Sequence, residues 1–168
     1  MRTGLLATTV VAFLSSTSCT GGSSPIGVGS AGRATIELPG QFYWSHESKN
    51  TILIMPRKDD MDGPISMRLT CLRDLSDLEP DDSQVADLLY KVNPGSKLES
   101  AGGNQYTSQK SEETAPDGTN LFLRHYAVHA DGLLITATIQ TVKGRESEPQ
   151  CEELLNEFTD IIASLSRG

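Results

Sequence analysis

Three histidines are the residues of this chain best suited to metal binding or acid–base chemistry. His125 and His129 lie four residues apart in a segment with the pattern of a β-strand, which places both side chains on one face. At about 3.3 Å per residue they are about 13 Å apart, too far to share a zinc ion held at about 2.0–2.1 Å. The spacing predicts two separate surface or rim histidines, so we expect no metal site and no cofactor.

A short acidic run has part of the spacing of a calcium-binding loop. Asp60 and Asp62 fall at ligand positions when the glycine that follows is aligned with the glycine such a loop requires. Lys58 then takes the first ligand position and Leu69 the last, where oxygen donors are needed. The run, which begins with Asp59, is therefore predicted to be a solvated acidic turn available to a partner.

Aromatic residues mark a second candidate contact surface. Phe42, Tyr43 and Trp44 are consecutive in a predicted strand, so one or two of them fill the core and the others lie at its rim. The residues that we expect to contact a partner are Tyr43, Trp44, His46, Asp59, Asp60 and Asp62.

No arrangement of nucleophiles typical of a hydrolase occurs in the sequence. The serines do not lie in a G-x-S-x-G or S-x-x-K motif, and no phosphate-binding G-x-x-x-x-G-K-[ST] loop is present. We therefore predict a protein that is not an enzyme, with no catalytic residues.

The segment that ends at the first cysteine, Cys19, predicts where the protein is located in the cell. The chain opens MRTGLLATTVVAFLSSTSC, with Arg2 followed by an apolar run too short to cross a bilayer, as in a secretory signal peptide. The small residues before Cys19 resemble a bacterial lipobox, although Ser16 stands where that pattern prefers Leu. The resemblance implies that residues 1–18 are removed and that Cys19 receives diacylglycerol. The alternative is ordinary signal-peptidase cleavage near Ser18 or Ala31.

Composition divides the rest of the chain into a tether and one domain. Residues 19–33 are rich in Gly and Ser and are predicted to be a flexible tether, and residues 34–168 have the length of a single compact domain. Removal of residues 1–18 takes away only Arg2, leaving 13 basic and 22 acidic residues and a formal net charge of −9. That balance argues against nucleic acid and against adsorption to anionic lipid, so a lipid anchor would have to hold the protein at a membrane.

The other two cysteines are predicted to form a disulfide. With Cys19 acylated, Cys71 and Cys151 remain as a pair in an oxidising compartment, where pairing is the default. Strand alternation puts Cys71 on an apolar face, and helical periodicity puts Cys151 on an apolar stripe. The alternative is two buried thiols.

The order of predicted elements defines the fold class. Strands are predicted at 34–38, 42–46, 51–56 and 65–72, followed by a helix from Asp81 or Asp82 to 92. A meander of strands comes next, with turns at 102–103, 116–118 and 131–132, and its last two strands are 121–128 and 133–142. The last helix starts with a capping box at 147–150 and has Pro149 in its first turn. This pattern predicts an α+β domain, an antiparallel sheet with two packed helices.

The element order, the opening phrase IELPGQFYW and the closing helix LLNEFTDIIASLSR together resemble the PsbP-like fold, including the DcrB-like bacterial lipoproteins. The resemblance implies a non-enzymatic binding or accessory protein. The sequence thus indicates a lipid-anchored protein of the bacterial envelope that binds a protein partner. One version is an immunity protein whose acidic surface steers a basic toxin. The alternatives are an envelope hydrolase or metal-dependent enzyme using His46, His125 or His129, and a carrier of a small apolar ligand.

Overall fold

The computed structural model describes residues 24–29, 34–57 and 65–168. The strands in these ranges are β1 Ser24–Val28, β2 Ala34–Leu38, β3 Phe42–Ser48, β4 Thr51–Pro56, β5 Ser66–Asp74, β6 Leu98–Ala101, β7 Asn104–Thr114, β8 Asn120–Ala130, β9 Leu133–Val142 and β10 Ser166–Arg167. The helices are α1 Asp82–Val92 and α2 Pro149–Ala163.

The strands form two antiparallel sheets. The larger has seven strands in the order β3-β4-β5-β9-β8-β7-β6, and the smaller has the order β1-β2-β10. Every described strand pair is antiparallel. The predicted fold class, α+β with an antiparallel sheet and two packed helices, is confirmed.

The two helices pack on opposite faces of the seven-stranded sheet. The side chains of β8 and β9 alternate between these faces, so each face contributes residues to a different cluster. On one face Tyr126 and Val128 join the buried side chains of α2 and of the smaller sheet in one core. On the other face Ala127 and Leu134 join Val85 of α1 in a second, smaller cluster.

Helix α1 begins where the sequence predicted. The Asp81 carboxylate accepts a hydrogen bond from the Gln84 backbone N–H at 2.9 Å, and the Gln84 side chain accepts one from the Asp81 backbone N–H at 3.1 Å. This reciprocal pair satisfies two donors that a helix start otherwise leaves unpaired.

The capping box predicted at the start of α2 is wrong. The residue before the helix is Glu148, whose side chain makes no capping hydrogen bond; Pro149 opens the helix, as predicted. The Glu148 carboxylate is held by Arg145, with Nη2 to Oε2 at 2.9 Å. A proline in the first turn has no N–H, so one of the donors that a helix start leaves unpaired is absent.

Part of the predicted tether is folded. Ser24–Val28 pairs with β2, so that Ile26 lies opposite Ile36 and Val28 opposite Ala34. Ile26 is 8% exposed and Val28 is fully buried, because Gly27 separates two apolar residues that share one face. The tether prediction is therefore wrong for this segment, and the domain starts before residue 34. Residues 1–23, which include the predicted leader and Cys19, and residues 30–33 lie outside the described residues.

The predicted disulfide is also wrong: Cys71 and Cys151 are both buried but are not bonded to each other. Cys71 lies opposite Ile135, near the start of β9. The last turn of α2 reaches this end of the sheet, where the Asn104 side-chain amide, at the start of β7, donates to the Ala163 carbonyl oxygen at 3.3 Å. Cys151 lies twelve residues before the end of α2, about 18 Å along the helix axis, whereas a disulfide requires Cα atoms within about 7 Å. Both cysteines face inward as predicted, but they lie at different positions along the direction of the strands.

Within the described part of the chain, no helix combines the length and the hydropathy needed to cross a membrane.

Candidate interaction surface

Strand β3 lies at an edge of the seven-stranded sheet and carries the exposed aromatic residues. Tyr43 is 41% exposed and Trp44 is 39% exposed, whereas Phe42 is 2% exposed. The Phe42 ring packs against Phe158 of α2 with a centroid distance of 5.1 Å. We predicted that one or two of these aromatic residues fill the core and that the others lie at its rim. In the structure Phe42 is in the core, and Tyr43 and Trp44 are exposed. Tyr43, Trp44 and His46 are called the β3 surface below.

Trp44 and His46 continue the core-facing side of the sheet beyond the part that is covered. They lie opposite Ile54 and Ile52, which are both fully buried. The two rings contact each other edge to face, with centroids 4.9 Å apart. Such an arrangement brings the positive edge of one ring to the negative face of the other. On the other side of β3, the Tyr43 hydroxyl lies 3.3 Å from the Met55 sulfur.

The electrostatics of β3 differ from those of the whole chain. The formal net charge is −8, but Glu47 is the single acidic residue of β3. The Arg68 guanidinium donates through Nε to both Glu47 carboxylate oxygens, at 3.2 and 2.9 Å. The β3 surface is therefore an apolar and nearly neutral patch on an acidic protein.

The opposite edge of the sheet has the usual protection against strand addition. Strand β6 pairs with only the first four residues of β7, so residues 108–114 have a described neighbour on one side only. Charged side chains stand there: Lys110, Glu112 and Glu113. Charges on an edge disfavour pairing with another chain. Strand β3 has one charge, and that charge is already paired.

The acidic half of the predicted contact surface, Asp59, Asp60 and Asp62, lies outside the described residues. The other three predicted residues share the edge strand β3, with Trp44 and His46 on one face of the sheet and Tyr43 on the other.

The three histidines do not converge. His46 is on β3, whereas His125 and His129 lie on β8, on one face as predicted. In the described ranges no group of three or more His, Cys, Asp or Glu side chains could hold a metal ion.

His125 makes the one arrangement that resembles a catalytic pair. Its Nε2 lies 2.8 Å from the Ser111 hydroxyl, and its Nδ1 lies 3.2 Å from the Thr138 hydroxyl. In a serine hydrolase, a histidine accepts the proton of the serine hydroxyl. The third residue of the catalytic triad is normally a carboxylate that orients the histidine ring. Here Thr138 takes that position. The pair was missed from the sequence because Ser111 and Thr138 become neighbours of His125 only once the register of three strands is known.

His129 has a different environment, beside α1. Its Nε2 is buried and has no hydrogen-bond partner among the described residues. The same is true of Oε1 of Gln105, the residue directly opposite His129 on β7. Burial lowers the pKa of His129, although Asp131 and Asp82 act in the other direction. The residue is a neutral, half-buried imidazole at neutral pH.

A cavity of about 250 Å³ lies at the far end of the β7–β8 hairpin. Its lining is polar and consists of Glu112, Glu113, Thr114, Asn120 and Lys143. Lys143 and Glu112 form an ion pair at 2.6 Å, which raises the pKa of Lys143. Such a lining suits water and ions rather than an apolar ligand.

No protein-family model and no curated protein matches the sequence. A crystal structure of a protein from Bacteroides thetaiotaomicron is similar, with 15% identity, 84% of this chain and 47% of that chain covered, and a TM-score of 0.59. This chain spans about half the length of that protein, and the likeness is one of fold alone.

Three further solved structures match less closely. The Ran-binding protein Mog1p of Saccharomyces cerevisiae shares 11% identity over 87% of this chain and 95% of its own, with a TM-score of 0.48. LpqN, involved in cell envelope biogenesis of Mycobacterium tuberculosis, shares 14% identity over 87% and 90%, with a TM-score of 0.45. PsbP of Synechocystis shares 15% identity over 92% and 99%, with a TM-score of 0.33. The element order that resembled the PsbP-like fold is the order found; family membership stays a prediction.

Proposed function

We propose that this chain is a non-catalytic binding protein of the bacterial envelope, held to a membrane by lipid on Cys19, whose β3 surface docks a protein partner. The observation that carries the docking surface is the exposure of Tyr43 and Trp44 on an edge strand that lacks unpaired charge. Aromatic residues are enriched at protein interfaces and charged residues are depleted from interface cores. Away from the β3 surface, the acidic balance of the chain would favour a basic partner, of which a toxin delivered to the envelope is one class.

Site-specific photo-crosslinking in the native envelope tests the docking surface. A photoreactive phenylalanine analogue replaces Tyr43 in one variant and Tyr90 in the other. Tyr90 is the matched control because it is 39% exposed but lies on α1. We expect a defined protein adduct from position 43 and none from position 90. Equal adducts from both positions, or none from position 43, would reject the β3 surface as the docking site.

The anchor is tested separately by intact-mass analysis. We expect the envelope-extracted protein to lack residues 1–18 and to carry a diacylglycerol adduct, and the Cys19→Ser variant to be released from membranes by washing without detergent. A mature protein with an unmodified Cys19 would reject the anchor while leaving the β3 surface untouched.

The hydrolase alternative now has a specific pair of residues, because Ser111 lies 2.8 Å from His125. A serine activated by histidine reacts with a fluorophosphonate probe through its hydroxyl oxygen, with loss of fluoride. We expect no labelling of the folded protein, since Thr138 rather than a carboxylate contacts the second ring nitrogen. Labelling that disappears in the Ser111→Ala variant would replace the binding function with a hydrolytic one.

A further inference from the structure

The hydrogen-bonding pattern of β3 identifies which of its backbone groups face away from the sheet. The Gln41 carbonyl accepts from the Arg57 N–H at 2.7 Å, so this pair is hydrogen-bonded. In an antiparallel ladder, hydrogen-bonded and non-hydrogen-bonded pairs alternate. Trp44 and His46, which lie opposite Ile54 and Ile52, are therefore in non-hydrogen-bonded pairs. Their N–H and C=O groups point away from β4, toward a side where no described strand lies.

These outward-facing groups can pair with the same groups of a second copy that is related to the first by a two-fold axis at Ser45. If a second β3 is placed antiparallel with the axis at Ser45, Trp44 of each copy lies opposite His46 of the other. Each of these two pairs exchanges two N–H···O=C bonds, giving four in all. This match follows from the two-fold axis, because Trp44 and His46 lie on either side of Ser45 and both have N–H and C=O groups that point away from β4.

The side chains complement each other in the same register. Trp44 and His46 already contact each other edge to face within one copy, with centroids 4.9 Å apart. The second copy brings the same two rings alongside, so that four rings form one cluster. On the other face, Tyr43 lies opposite Glu47 of the second copy, which matches a phenol donor with a carboxylate acceptor.

Charge permits this approach at β3 and opposes it at the other edge of the seven-stranded sheet. Two copies that each carry a formal charge of −8 repel one another, but Glu47 is neutralised by Arg68 and the remaining β3 residues carry no acidic group. The other sheet edge carries Glu112 and Glu113 and is unsuited to self-pairing.

We propose that β3 pairs with β3 of a second copy of this chain about a two-fold axis at Ser45, joining the two seven-stranded sheets into one. This inference rests on the proposed function, since it names the partner of the β3 surface. A heterologous strand would have to supply its own complement to the Trp44–His46 pair, whereas a second copy has it.

The test uses cysteine cross-linking of the full chain in a Cys19→Ser background. Ser45→Cys places a thiol on the symmetry axis, where two copies meet in a non-hydrogen-bonded pair with Cα atoms about 4.5 Å apart, within disulfide range. Ser48→Cys is the matched control, exposed on the same strand but opposite Phe42 in the paired state. We expect Ser45→Cys to form at least ten times more disulfide-linked dimer than Ser48→Cys under mild oxidation.

Sedimentation equilibrium provides the independent measurement. We expect the Cys19→Ser chain to shift with concentration from the mass of one chain toward twice that mass, and His46→Pro to weaken the association at least tenfold. Proline removes only an outward-facing N–H there, and edge strands tolerate it, so circular dichroism should show an unchanged fold. A chain that stays monomeric, or equal cross-linking by the two cysteine variants, would overturn self-pairing. If Tyr43 then cross-links to a different protein, the proposed function survives and the second copy is not its partner.

Discussion

His129 gives the fold a stability that depends on pH. Burial disfavours the imidazolium and lowers the pKa of His129 from its ordinary value of 6.5. As pH falls below 6.5, the unfolded chain takes up a proton that the folded chain resists. The contribution is therefore fully present above the unfolded pKa and is lost as the pH falls from there toward the folded pKa.

The His129→Gln variant tests this contribution. We expect the wild-type free energy of unfolding to fall more steeply than that of the variant between about pH 7.5 and 5.5, because glutamine does not titrate. Urea titrations across this range, followed by circular dichroism, measure both slopes. Parallel pH profiles would mean that the imidazole is as well solvated in the folded chain as in the unfolded one.

Adjacent glycines in the β6–β7 turn have different structural roles. Both have positive φ, +60° at Gly102 and +87° at Gly103, so alanine at either position is strained by about 1–2 kcal/mol. A Cβ at Gly102 would collide with the backbone oxygen of Ala163 at the end of α2, while one at Gly103 would meet nothing within 4 Å. Gly102 thus fixes the distance between this turn and the last turn of α2.

We predict that Gly102→Ala is more destabilising than Gly103→Ala, by about 1–3 kcal/mol, the usual effect of overpacking. The matched pair separates the collision from the backbone strain, since both variants have the strain. Thermal and urea unfolding of the two variants measure the difference. Equal losses would show that the end of α2 moves aside without a free-energy cost.

At the scale of elements, the two helices start in different ways. The Asp81 carboxylate accepts from the backbone N–H of Gln84, which lowers the pKa of Asp81 because the bond favours the charged form. No side-chain bond caps α2. The stability of α1 therefore depends on a single carboxylate in a way that the stability of α2 does not.

We expect Asp81→Ala to lower the free energy of unfolding by about 0.5–2 kcal/mol. Asp87→Ala is the control, because it removes the same charge from an exposed position within α1. The loss from Asp81→Ala should shrink as the pH falls toward the unfolded pKa of Asp81 and below it, since protonation removes the carboxylate cap from the wild type as well. Chemical denaturation at neutral and acid pH measures both effects. A loss no larger than that of the Asp87 variant would contradict the capping role.

Regular periodicity made most elements predictable. The predicted bounds of β2, β4 and β9 are those observed, since each strand alternates strictly or is bounded by strong turn residues. Strand β1 was missed because Gly and Ser surround its two apolar residues and gave the segment the composition of a linker. The outward position of Tyr43 was predictable from three consecutive aromatic residues, of which alternation can bury only some. Trp44 lies on the same face as the buried Phe42, so alternation alone did not predict its exposure.

The parts that sequence did not predict depend on long-range register. Inward-facing cysteines on a strand and on a helix were predicted correctly, but their positions along the direction of the strands depend on which end of the sheet the helix reaches. The Ser111–His125–Thr138 contact likewise needs β7, β8 and β9 to be aligned. One-dimensional patterns specify the face of an element and not its displacement along a neighbour.

At the scale of the whole molecule, β1 links the segment that follows the predicted anchor to the folded core. Strand β2 lies between β1 and β10, so β1 completes the smaller sheet and contributes Ile26 and Val28 to the core. Gly29 then passes over β5, where a Cβ would lie 2.9 Å from the Cys71 Cβ. A pull on the chain before β1 would therefore act on a strand of the folded domain.

We predict that a chain beginning at Ala31 is less stable than one beginning at Ser24, by at most about 3–6 kcal/mol, the burial free energy of two aliphatic side chains. The chain beginning at Ser24 keeps β1 and should match the full chain in urea unfolding. Hydrogen–deuterium exchange gives the local measurement: the β2 amides that bond to β1 should exchange faster in the shorter chain, while those of β9 follow only the global loss. If the two truncated chains unfold at the same urea concentration with equal β2 protection, then β1 contributes nothing to the core and the domain starts at Ala34.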